Sequence, residues 1–192
     1  MLAAIIRQKL QLRHRCLYLN KPAMVDLMRT SLDSVGVDTT REIEETSLLL
    51  SSSQEHLIDG EIFDVDRMIN MLEESLQQAL LDGYAGLWAT GDMTWELGPS
   101  KDFSKLVEYE WRLEEFFRSH PQIGGVCQYD AGSLPREAMQ HGLCVHRGLF
   151  VSETVSRINP VYLPPEAFSS LGDRQGEIDS MLDRLCMAEL PH

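Results

Sequence analysis

The sequence predicts an α/β protein, with a mostly parallel β-sheet of about five strands covered by helices on both faces. Three observations predict it. Short apolar runs, Leu17-Tyr18-Leu19, Leu48-Leu49-Leu50 and Gly86-Leu87-Trp88-Ala89, read as buried strands. Between them lie longer stretches whose apolar residues recur at i, i+3 and i+4, the mark of helices with one buried face. Strands that alternate with helices are joined by crossovers, and crossovers make neighbouring strands parallel. A chain of 192 residues with 43% hydrophobic content suits one domain with a sizeable core.

Residues 2–12 read as a helix on Leu2, Ile5, Ile6 and Leu10, and residues 16–19 as the first strand. Asn20-Lys21-Pro22 turns the chain, and Pro22 suits the first turn of a helix that stops near Gly36. Residues 47–51 form the second strand, and 54–63 a loop around Gly60. Asp64 caps a strong helix over 65–81 with Met68, Ile69, Leu72, Leu76, Ala79 and Leu80 as its apolar positions, and Gly83 ends it. Strands follow at 84–90, 123–129 and 149–152, with helices at 101–119, 134–144 and 173–190.

The net charge is −13, and the four lysines are Lys9, Lys21, Lys101 and Lys105. Nucleic-acid affinity comes from neutralising phosphates with Lys and Arg, so direct nucleic-acid binding is not expected. The same acidity disfavours docking on anionic membranes, and no apolar run approaches a spanning length. The four cysteines have no CxxC spacing and read as reduced thiols in a cytoplasmic protein.

Thr90-Gly91-Asp92-Met93-Thr94-Trp95 lies where a buried strand ends, the place where open α/β sheets form ligand sites. Gly91 allows close approach to the backbone, Asp92 adds charge, and Trp95 adds an apolar wall; an ordinary loop with Trp95 as a core plug is the alternative. Glu110 shares a helix face with Leu106, Leu113 and Phe117. A carboxylate in such a stripe is costly unless paired or protonated, so it is a pocket residue or a structural anchor. In Cys127-Gln128-Tyr129-Asp130, alternation puts Cys127 and Tyr129 on one face and Gln128 and Asp130 on the other. Tyr129 offers a ring and a hydroxyl to a ligand. A nucleophilic Cys127 would need a histidine base, and the sequence does not show whether His120, His141 or His146 approaches it. Ligand spacing shows no zinc or calcium motif. Neither GxxxxGK[ST] nor GxGxxG occurs, so no cofactor and no catalytic residues are expected.

Taken together, these segments resemble the MEDS family, the sensory domain named for methanogens, methylotrophs and the dichloromethane regulator. The resemblance rests on Arg15 to Leu19, Asp59-Gly60 with Phe63-Asp64, Gly83 through Trp95, Leu106 to Glu110, Cys127 to Asp130, and Asn159 through Phe168, all in the family's order. It implies a RecA- or KaiC-like fold without a P-loop, with residues 1–168 as the sensory domain and 169–192 as a helical tail. It also implies a non-catalytic ligand-sensing role in signal transduction or transcription regulation. The ligand would be a small organic molecule, and the output would pass to a partner such as a DNA-binding regulator or a kinase. Tyr18, Thr90, Gly91, Asp92, Trp95, Glu110 and Tyr129 are the expected ligand-binding residues.

Two departures shape the expectation. Asp92 stands where the family has Glu, which shortens that carboxylate's reach. The family's usual first strand is missing, so a sheet edge is expected to be left bare and a homo-oligomer to cover it. A structural or protein-interaction module with no ligand, and a nucleotide-binding KaiC relative, are the alternative readings.

Overall fold

The computed structural model describes residues 1–98, 103–152 and 155–188, apart from the side chains of 95, 96, 150–152, 155–157, 187 and 188. A parallel sheet of four strands forms its centre, in the order β2-β1-β5-β6. These strands are β1 (His14–Leu19), β2 (Leu48–Ser51), β5 (Gly86–Asp92) and β6 (Ile123–Gln128).

Alternation along the strands feeds two cores. Cys16 and Tyr18 of β1 and Trp88 of β5 pack beneath α1 (Leu2–Gln11) and α2 (Pro22–Ser34), through Ile6, Met28 and Leu32. Leu17, Leu19, Leu87 and Ala89 point the other way. They meet α4 (Val65–Leu81) and α6 (Leu106–Ser119) through Met68, Leu72, Leu76, Tyr109 and Leu113. Helices thus cover both faces of the parallel sheet, as the strand–helix alternation predicts.

Local signals act as their chemistry dictates. The Asp64 carboxylate accepts the Arg67 backbone N–H at 2.9 Å and so caps α4. Gly83, at φ 82°, closes the same helix, since a side chain at that φ is strained. Arg15 is buried at the start of β1. It donates to the Thr46 carbonyl at 2.7 Å and to Asp82 at 2.5 Å, and its guanidinium lies 4.7 Å from the centre of the Tyr84 ring.

Several elements differ from the sequence reading. Residues 54–63 contain a hairpin, β3 (Leu57–Ile58) and β4 (Ile62–Phe63), turned by Asp59 and Gly60, both with positive φ. Asp-Gly is the preferred pair for that tight turn, so the signal was present in the sequence. A short α3 (Thr39–Glu44), capped by Asp38, was not expected. The helix expected from residue 101 begins at Leu106 after a 3-10 turn, Phe103–Lys105; residues 101 and 102 lie outside the described residues. The fifth expected strand forms as β7 (Gly148–Ser152), but it pairs antiparallel with β8 (Val155–Ile158) in a hairpin of its own. A third core joins α7 (Arg136–Val145) to α8 (Gln175–Ala188) through Leu143, Cys144, Ile178 and Leu182.

Candidate functional site

Among the described residues β6 is an edge strand, with β5 on one side only. A cavity of about 730 Å³ runs along its other side, between the start of α1, α6, α7 and α8. Leu113, Val126, Met139, Leu143, Leu182 and Leu185 make its walls largely apolar. Glu114, Gln128 and Arg147 also line it, and four of its polar groups cluster together: Glu110, Cys127, Tyr129 and His146.

Three elements deliver these groups. α6 carries Glu110, which is 4% exposed. Strand β6 and the residue just beyond it carry Cys127 and Tyr129 on one face, as alternation predicts. The Tyr129 hydroxyl donates to Glu110 Oε1 at 2.5 Å, and the Cys127 thiol donates to Glu110 Oε2 at 3.3 Å. His146, at the end of α7, brings Nε2 to 3.2 Å from the same Oε2. Of the three histidines the sequence left open, His146 is the one beside Cys127.

Gly142 shapes the site twice. A Cβ there would lie 2.2 Å from Tyr129 Cε1, so only glycine lets the tyrosine ring rest against α7. Its carbonyl lies 2.6 Å from His146 Nδ1, which fixes the imidazole's orientation.

Burial alone would raise the Glu110 pKa. The nearby His146 charge and hydrogen bonds from Tyr129 and Cys127 outweigh burial and hold it below the usual carboxylate range. Burial alone would lower His146. The Glu110 charge, the Gly142 carbonyl and the more distant Glu114 raise it instead, to about 9. At neutral pH the two form a charged pair. Elsewhere in the cavity lining Arg147 pairs with Glu114, which also accepts the Tyr162 hydroxyl at 3.1 Å.

The structure separates the residues expected to bind a ligand. Glu110 and Tyr129 meet in the cavity wall. Thr90 and Gly91 border a different dent of about 20 Å³, which has room for about one water molecule. Thr90 is tied down, its hydroxyl donating to Val126 O at 2.7 Å and accepting from Gln128 at 3.0 Å. Tyr18 is 1% exposed under α1 and α2, and Asn20 donates to its hydroxyl at 3.0 Å. Asp92 is half-buried at the end of β5. Trp95 lies in the short helix α5 (Met93–Glu96), and its side chain is outside the described residues. Cys127 and His146 stand in the site but outside the expected ligand-binding set, His146 being named only among three possible bases for Cys127. His146 sits 36 residues beyond Glu110, just after α7, and no periodicity links them.

The sequence profile of the MEDS domain, the methanogen/methylotroph, DcmR sensory domain, matches residues 1–147. The chain belongs to the MEDS family of sensory domains. No curated protein and no solved structure matches it. The matched span contains Glu110, Cys127, Tyr129 and His146 and ends at the last residue before β7.

Proposed function

We propose that this chain is a non-catalytic sensing domain that takes a small organic molecule into the cavity beside β6 and signals through a protein partner. The cavity is the observation that carries this reading. Its volume of about 730 Å³ falls within the range of small-molecule sites. Apolar walls with one polar cluster supply burial and orientation respectively. The sheet edge forms one wall, and α7 and α8, packed on each other, form another. A ligand that prefers one placement of that helical layer shifts its population and gives the domain an output. The acidic chain suits a basic partner, such as a DNA-binding regulator or a kinase in the cytoplasm. Among the described residues β2 is the sheet's other edge, paired with β1 on one side only, and this edge supports self-association as part of the same reading.

A thermal-shift screen of small apolar and halogenated compounds, with nucleotides alongside, tests this on wild type, Met139→Trp and Trp95→Ala. Ligand at about a hundred times its Kd stabilises by about 2.7 kcal/mol, a rise of about 5–10 °C for a domain of this size. The rise should vanish in Met139→Trp, which fills the cavity. Loss only in Trp95→Ala would move the site to the end of β5. A shift with nucleotides alone would favour a nucleotide-binding KaiC relative. No shift with any compound would favour a protein-interaction module.

A further inference from the structure

We infer that Glu110, Cys127 and His146 form a site for one divalent d-block cation of the zinc type, with an open coordination position toward the cavity. Their ligand atoms all lie within 4.8 Å of one another. The individual spacings are more telling. Tetrahedral zinc with bonds of about 2.0 Å to oxygen, 2.05 Å to nitrogen and 2.3 Å to sulfur sets its ligands about 3.3 Å (O to N) and 3.5 Å (O to S) apart. Here Glu110 Oε2 stands 3.2 Å from His146 Nε2 and 3.3 Å from Cys127 Sγ. Two edges of the tetrahedron are therefore already set.

The surrounding bonds orient the same three atoms. His146 Nδ1 faces the Gly142 carbonyl, and a histidine ligand characteristically donates its other ring N–H to such an acceptor. The Tyr129 hydroxyl occupies Glu110 Oε1 and leaves Oε2 facing the cluster. Nε2 of His146 is buried. Although Oε2 is close, the contact lacks hydrogen-bond geometry, so this atom has no hydrogen-bond partner. One thiolate, one imidazole and one carboxylate form a borderline donor set that suits zinc or cobalt(II) better than magnesium or calcium. All three residues line the cavity, so a fourth ligand would come from there. A thiol, alcohol or carboxylate of a small organic molecule fits that position, and this last step rests on the sensing reading above.

Titration of the chelator-treated full chain with cobalt(II) alone tests the site without any organic ligand. One equivalent should give visible bands of a tetrahedral ion and a near-ultraviolet thiolate-to-cobalt charge-transfer band, both displaced by zinc. Cys127→Ser should lose the charge-transfer band, and Cys186→Ser, which removes the exposed thiol, should keep it. Tyr129→Phe frees the Glu110 carboxylate from its orienting bond and should weaken cobalt binding by about tenfold or more. That loss of affinity with the band retained separates orientation from ligation. Absence of the bands in wild type would overturn the proposal, as would their survival in a Cys127→Ser protein that melts cooperatively. A failed organic-ligand screen with positive cobalt spectra would refute the sensing reading and leave the metal site standing.

Discussion

Glu110 Oε2 lies 3.2 Å from His146 Nε2, and the Glu110 side chain is 3% exposed. The pair joins α6 to the end of α7, so it fastens the α7–α8 layer to the sheet as well as lining the cavity. Glu110→Leu removes the acceptor of the Tyr129 hydroxyl and the Cys127 thiol, while His146, 26% exposed, gives up its proton once the carboxylate is gone, so the loss is about 2–3 kcal/mol. This should lower the melting temperature by about 4 °C or more, measured by circular dichroism with chelator present. A change within about 2 °C would mean that the pair is solvated and holds nothing together.

The same pair sets a pH window. The folded His146 pKa, about 9, is raised above its ordinary 6.5. Its contribution is complete below pH 6.5 and disappears as pH rises through about 9. Glu110 is lowered from its ordinary 4.5, so its contribution is complete above pH 4.5 and is lost as pH falls through the depressed value. The pair therefore contributes most between about pH 4.5 and 6.5. Cys127, Tyr129, Glu114 and Arg147 face it and are held constant in a comparison with Glu110→Gln. In chelator, the wild-type advantage over this variant should shrink steadily from pH 6.5 to 9. A constant advantage across that range would show that His146 does not titrate with the fold.

Adjacent glycines in β6 should respond oppositely to one methyl group. A Cβ on Gly125 would lie 2.2 Å from the Ala89 carbonyl oxygen, a backbone atom of β5 that cannot move without breaking the ladder. A Cβ on Gly124 meets only Trp88, at 3.9 Å, an ordinary contact. Gly125→Ala should cost about 3 kcal/mol or more, and Gly124→Ala should stay within about 1 kcal/mol of wild type. Urea unfolding of the two variants checks this. Equal costs would place β6 in a different register.

Most of the fold was legible because burial writes a local pattern. Leu17 and Leu19 against Cys16 and Tyr18 show two buried faces within one strand, and Asp64 with Gly83 marks both ends of α4. The candidate site was legible in part. Glu110 stands out as a carboxylate in an apolar stripe, and alternation aligns Tyr129 with Cys127. His146 could not be found in this way, because only tertiary packing brings α7 to α6. The end of β5 drew attention for its place in the topology, yet Thr90 is occupied by Val126 and Gln128, while the larger space opened at the sheet's edge. The separate pairing of β7 with β8 was likewise hidden, since a five-residue apolar strand reads the same in any sheet.

Arg15 should not tolerate lysine. It is 3% exposed, and its planar head donates to the Thr46 carbonyl, the Thr46 hydroxyl and Asp82 while lying over the Tyr84 ring. A lysine ammonium has no planar fork to reproduce that set. Arg15→Lys should destabilise by about 2 kcal/mol, since buried acceptors lose their donors. Chemical denaturation measures this; a loss below about 0.5 kcal/mol would show that the head is solvated.

Thiol labelling should report the packing of two helices. Cys16 is fully buried beneath α1, its thiol 3.8 Å from the Ile6 carbonyl, and burial pushes its pKa to about 12. Cys144, at the α7–α8 contact, is pushed to about 11. At pH 8 the reactive thiolate is then roughly a thousandth of Cys144 and less of Cys16. Cys186 is exposed on α8. Brief alkylation of the native chain, read by mass spectrometry of its peptides, should modify Cys186 first and leave Cys16 and Cys144 unmodified until denaturant is added. The protected pair report on different events. Early modification of Cys144 with Cys16 protected would mean that α8 lifts from α7 while the sheet stays intact, the motion through which a ligand in the cavity would act. Early modification of Cys16 would mean that α1 leaves β1, and the cavity wall at Met1 and Leu2 would go with it.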